Sequence, residues 1–129
     1  FTYDTHYENY LETQEGKKLP ISHCIEGTWG WELDSSVLPF KEKATAIFKK
    51  NTFGSMNLGQ FLLERGYDEV ELCGLVTSIC VFSNAVIAKA ALPEAKIIVD
   101  SSCTEDTNAE VKDCSLRALQ GIMIEVKNS

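Results

Sequence analysis

From Asn57 onward the apolar positions switch repeatedly between helical and strand spacing, the signature of a parallel sheet with crossover helices. Asn57 can cap a helix carrying Leu58, Phe61, Leu62 and Arg65, with Gly66 as its left-handed stop. The short apolar run Val70–Cys73 then predicts a strand. After Gly74 and a turn, Ile79, Phe82, Val86 and Ala90 recur at spacings of three and four, which predicts the buried face of a helix ending near Pro93. Lys96–Asp100 predicts the next strand. Thr107 and Glu110 have capping-box spacing ahead of Val111, Cys114 and Ala118, Gly121 closes that helix, and Ile122–Val126 forms the last strand.

The first half is less periodic. It predicts strands at Phe1–Tyr3 and Ala46–Lys49, separated by a polar stretch rich in Gly, Thr and Trp. So long a loop is uncommon in a compact domain unless it builds a site, so residues 4–40 are where function is sought.

The chain has 129 residues, 44% of them hydrophobic, enough for a single α/β domain spanning residues 1–129. A net charge of −7 with scattered Lys and Arg argues against a nucleic-acid groove. No apolar run reaches the roughly 18 residues of a membrane span, so no membrane partner is expected and a cytoplasmic location is the default. Five cysteines without C-x-x-C spacing predict reduced thiols rather than a disulfide framework.

Several residues carry candidate chemistry. Cys80 lies between a strand and the first turn of a helix, where backbone N–H groups favour a thiolate. Position alone leaves open whether it is a nucleophile or a small buried hydrophobe. Asp4 and His6 are two apart, so an extended chain points both the same way, and His23 follows after a loop containing Glu15. A carboxylate and two imidazoles suit Zn²⁺, Mn²⁺ or Fe²⁺; the competing reading is an acidic loop with incidental histidines. Trp29 and Trp31 fit either stacking on a planar ligand or anchoring their loop, and neither is assigned.

The segment Gly74-Leu75-Val76-Thr77-Ser78-Ile79-Cys80-Val81 resembles the nucleophile motif of the nicotinamidase and isochorismatase-like cysteine hydrolases, G-[VI]-x-T-[DS]-x-C-V. Lys50-Asn51-Thr52-Phe53-Gly54 is similar to that family's lysine motif, and Asp4-Thr5-His6 with His23-Cys24-Ile25-Glu26-Gly27-Thr28-Trp29-Gly30 is similar to its metal-binding region. The resemblance implies a three-layer α/β/α sandwich around a parallel, doubly wound, Rossmann-like sheet, with the site at the carboxyl ends of the strands. It implies Cys80 as nucleophile, with Lys50 as the ammonium that holds the thiolate. A cis peptide at Leu75-Val76 is implied too, turning N–H groups near Val76 and Cys80 toward an oxyanion. Asp4, His6 and His23 take the positions of metal ligands, zinc first with manganese or iron as alternatives, and Glu15 matches a carboxylate that completes the shell in some members.

The implied activity is hydrolysis of a small amide through a thioester, releasing ammonia, by a dimer or tetramer. The alternatives are an isochorismatase-like hydrolase of another small substrate and a catalytically silent binding subunit. Two departures stand out: Ser78 where aspartate is commoner, and Leu19-Pro20 where nicotinamidases carry an aromatic residue before the last histidine. The resemblance begins at the family's second strand, so the first strand, its base aspartate and the following helix are expected upstream of residue 1.

Overall fold

The computed structural model describes residues 1–129 and divides into two units, Phe1–Thr52 and Phe53–Ser129. The second unit is built on strands β3 (Glu69–Leu75), β4 (Lys96–Glu105) and β5 (Glu125–Lys127), all parallel and hydrogen-bonded in that order. Helices α3 (Phe82–Ala91) and α4 (Ala109–Gly121) make the two crossovers, and α2 (Met56–Arg65) precedes β3. Val70, Leu72, Ile97 and Val99 alternate onto one sheet face, where they join Leu62, Val81, Ala85, Ala88, Leu116, Leu119 and Ile124 in one core. Glu69, Glu71 and Cys73 project to the opposite face and are exposed. The fold is thus α/β with parallel strands, as expected.

Boundaries and faces differ from the pattern-based expectation in instructive ways. Ser55, not Asn57, caps α2: its backbone is extended, and its hydroxyl accepts from the Leu58 N–H at 3.1 Å. Gly66 is left-handed at φ 64°, as predicted. Asn108, not Thr107, caps α4 by accepting from the N–H groups of both Glu110 and Val111. That helix is closed by left-handed Met123 rather than by Gly121.

The buried face of α3 is Val81, Ala85 and Ala88 with Asn84, whereas Val86 and Ala90 are exposed. The cause lies just upstream. Thr77–Val81 forms one wide π turn in which the Val81 N–H donates to the Val76 carbonyl at 3.1 Å, five residues back. One residue inserted into a helical turn rotates everything beyond it by about 100°; of the predicted stripe Phe82 still packs against the core, while Val86 and Ala90 face out. On α4 the core takes the bulkier Leu116 and Leu119 and leaves Val111, Cys114 and Ala118 exposed, since larger apolar side chains gain more from burial. Helix α2 approaches α3 closely at Gly59, where a Cβ would come within 2.9 Å of Ile87 Cγ2.

The first unit holds β1 (Thr2–Asp4) and β2 (Phe48–Lys50), parallel and paired Thr2 to Phe48 through Asp4 to Lys50. The strand predicted at Ala46–Lys49 therefore starts later and includes Lys50. Between the strands the chain makes 3₁₀ turns and one short helix, α1 (Gln14–Lys18), capped by Thr13. Gly16 of α1 sits so close to the Tyr10 carbonyl that a Cβ would lie 2.0 Å from its oxygen. No helix is long and apolar enough to cross a membrane, and no disulfide joins the cysteines.

Candidate active and metal sites

The first unit gathers its acidic and imidazole side chains by strand periodicity and one isolated bridge. Asp4 and His6 share a side of the extended chain leaving β1, while Thr5 faces the other way and accepts from Trp31 Nε1 at 3.0 Å. The His6 N–H donates to the Cys24 carbonyl, and the Glu26 N–H donates to the His6 carbonyl, so residues 24–26 run parallel beside His6. This bridge brings His23 to the same place. Cys24 is left-handed at φ 48° as the chain turns between His23 and Ile25.

Ligand atoms of Asp4, His6 and His23 all lie within 4.8 Å of one another. His6 Nε2 is 3.3 Å from Asp4 Oδ1 and 3.2 Å from Glu15 Oε2, and His23 Nε2 is 3.4 Å from Asp4 Oδ2. Glu15 stands somewhat farther from His23, at 3.8 Å, on the short helix pinned by Gly16. Asp4 Oδ1, His6 Nε2 and both Glu15 carboxylate oxygens are buried with no hydrogen-bond partner. Buried polar atoms are nearly always paired, so carboxylate and imidazole atoms converging with their hydrogen-bonding capacity unfilled have the form of a cation site. His23 Nδ1 lies 2.6 Å from the Ile21 carbonyl. A carbonyl can only accept, so Nδ1 donates to it and Nε2 is the ring nitrogen turned toward Asp4 and Glu15.

Lys50 and Lys49 separate by face. Lys49 is exposed and pairs with Glu26, its ammonium 5.3 Å from the Trp31 ring centroid. The Lys50 side chain is only 4% exposed; its Nζ is 3.7 Å from Asp4 Oδ1 and donates to the Thr52 carbonyl at 3.3 Å. Trp31, tied to Thr5 and 5.3 Å from the Tyr3 ring, anchors its loop to the body of this unit. Trp29 is 93% exposed.

In the second unit β3 runs into Gly74 at φ 122°, then a cis peptide at Leu75–Val76, the bond singled out from the sequence. Cys80 is the fourth residue of the wide turn that follows, half-buried and just ahead of α3. Three side chains hold this turn, and sequence reasoning missed them all. Thr77 is fully buried, its hydroxyl 2.8 Å from that of Thr104 near the end of β4. Asp106 accepts from the Ser78 N–H at 2.8 Å, and hydrogen bonding to the Ser78 side chain first, then to its backbone, lowers the carboxyl from its ordinary value. Asn84 donates to the carbonyls of Cys80 and Phe53 at 2.9 and 3.1 Å and accepts from the Ser55 N–H at 2.9 Å. The available signal for Asn84 was its position four residues after Cys80, in an otherwise apolar stretch.

A family model described as the isochorismatase domain matches residues 1–128. A nicotinamidase from Acinetobacter baylyi is 28% identical over 104 residues, covering 70% of this chain and 49% of that relative. The chain thus spans about half the length of the curated relative it matches. The structure of a nicotinamidase/pyrazinamidase from Bacillus subtilis is similar with a TM-score of 0.83 at 27% identity, over 98% of this chain and 72% of that one. A pyrazinamidase/nicotinamidase from Streptococcus mutans gives a TM-score of 0.82 at 29% identity, over 98% and 73%.

Proposed function

This chain belongs to the isochorismatase-domain family, and from that premise we propose that it is a nicotinamidase-like cysteine amidohydrolase that cleaves a small amide to the acid and ammonia. The observation that carries this reading is the seating of Cys80. Its carbonyl is fixed by Asn84, and its turn is tied to β4 through Thr104 and to Asp106 just beyond that strand. A nucleophile works best when its backbone is held before substrate arrives. The similarity of this chain to nicotinamidases and pyrazinamidases supports a small amide as the substrate class.

In the proposed reaction the Cys80 sulfur attacks the amide carbon, and backbone N–H groups of Val76 and Cys80 receive the developing oxyanion. The C–N bond breaks as nitrogen takes up the proton that left the thiol, and ammonia departs from a Cys80 thioester. Water then hydrolyses the thioester, which returns the thiol and releases the acid. Lys50 is the second catalytic candidate, because an ammonium is rarely kept buried without a task.

Asp4, His6 and His23 are proposed to hold a divalent metal, zinc in the first instance, with Glu15 at its edge. The orphaned buried atoms and the mixed nitrogen and oxygen donors fit such an ion. When bound, the ion supplies Lewis-acid polarisation and orientation of substrate or water. The protein's own residues supply the nucleophile.

Ammonia release measured over nicotinamide, pyrazinamide and small aliphatic and ureido amides tests the activity. Release from at least one of them, with acid formed in equal amount, is the expected result. Failure to release ammonia from any amide, by protein whose metal content is intact, overturns the amidohydrolase reading and favours a silent binding subunit.

A further inference from the structure

We infer that Tyr10 is a positioning residue for the Asp4, His6 and His23 cluster, an inference that rests on the metal reading above. Tyr10 is 1% exposed and offers the cluster no ligand atom, because its hydroxyl donates to the Leu19 carbonyl at 2.9 Å. Its ring meets both imidazoles edge-on, at 4.6 Å and 64° from His6 and at 5.0 Å and 75° from His23. The imidazoles are themselves 4.9 Å apart at 67°. Three rings packed mutually edge to face leave each imidazole little freedom to rotate.

The hydroxyl adds a second restraint, reaching His23 through the backbone. The Leu19 carbonyl that accepts from Tyr10 also accepts from the Ile21 N–H at 2.7 Å. The Ile21 carbonyl in turn lies 2.6 Å from His23 Nδ1. Tyr10 thus pins the Leu19–Ile21 turn whose far end holds the ring of His23 in its direction through Nδ1. Partners of this kind orient metal-binding histidines, and their loss typically weakens binding about 10- to 100-fold.

Zinc affinity measured by chelator competition for wild type, Tyr10→Phe and Tyr10→Leu provides the test, with thermal melting of each metal-free protein alongside. Phe keeps the ring and removes the tether to Leu19, and should weaken zinc binding about 10-fold with little change in metal-free melting. Leu removes both, and should weaken it on the order of 100-fold. Cobalt absorption should differ between wild type and Tyr10→Phe, a change in ligand geometry that a purely structural role would not produce. If wild type takes up one zinc and Tyr10→Phe binds it equally tightly with an unchanged cobalt spectrum, the positioning role is overturned while the metal site stands. If wild type takes up no zinc or cobalt, the metal reading falls, and the role of Tyr10 with it.

Discussion

Asn84 illustrates what a single side chain does here and why pattern reading passed over it. Its amide makes three hydrogen bonds joining Cys80, Phe53 and Ser55, on the helix face opposite the one the apolar spacing predicts to be buried. Asn84→Ala leaves the buried Ser55 N–H without its acceptor, which should cost about 1–3 kcal/mol of unfolding free energy in denaturant titration. Under the proposed function it should also lower kcat more than it raises KM. Asn84→Asp should recover the Ser55 bond but not the two donor bonds. Asp100 gives a pH-dependent case. Hydrogen bonds from Ser102 and then Asn128, with Lys127 3.6 Å away, lower its carboxyl from 3.8 to about 2. A depressed carboxylate contributes stability above its unfolded value and loses it as pH falls through the folded one. Asp100→Asn should therefore melt below wild type at pH 6, and the gap should close between about pH 4 and pH 2. A gap that is constant over this range would show that the charge of Asp100 contributes nothing.

At the scale of elements, the sequence disclosed the helices and strands of the second unit but not their phase, missed the short helix Gln14–Lys18, and began the last strand at Ile122 where it runs Glu125–Lys127. The motif from Gly74 to Val81 was legible because its glycine, threonine and cysteine stand in the order of a family motif it resembles. The rotation of α3 was not, because the five-residue hydrogen bond from Val81 to Val76 depends on tertiary anchors at Thr104 and Asp106, distant in sequence. Caps failed for a related reason: Ser55 and Asn57 are both good cap residues, and only the backbone around them decides. Ser55→Ala should cost about 1 kcal/mol, read as a shift in the denaturation midpoint, while Asn57→Ala should be near neutral. Gly16 is the sharper test in the first unit. Alanine normally stabilises a helix relative to glycine, but a Cβ 2.0 Å from the Tyr10 oxygen forces backbone apart. Gly16→Ala should destabilise by about 1–3 kcal/mol and weaken zinc binding by displacing Glu15 and Tyr10 together.

For the whole molecule, three motifs far apart in the chain were readable before any coordinates because each resembles a short motif of one known family. Asp4 and His6 were paired by strand alternation, and Lys50 was distinguished from Lys49 by its motif; the structure shows Lys50 buried and Lys49 exposed. The His23 approach was only partly legible, since it depends on the bridge between His6 and Ile25. Stripping metal with a chelator should lower amide hydrolysis and the melting temperature together, and zinc should restore both. His6→Ala should lose metal, checked by elemental analysis, and become insensitive to the chelator.

The central claim is that amide hydrolysis passes through a covalent bond to Cys80, and acid-quenched mass spectrometry during turnover tests it most directly. Protein mixed with a hydrolysed amide and quenched within one turnover should carry the acyl group on the peptide containing Cys80. Cys80→Ala should carry none and should lose activity by more than about 10³-fold. Turnover without an adduct at Cys80, together with a Cys80→Ala variant that hydrolyses the amide at the wild-type rate, would contradict the account.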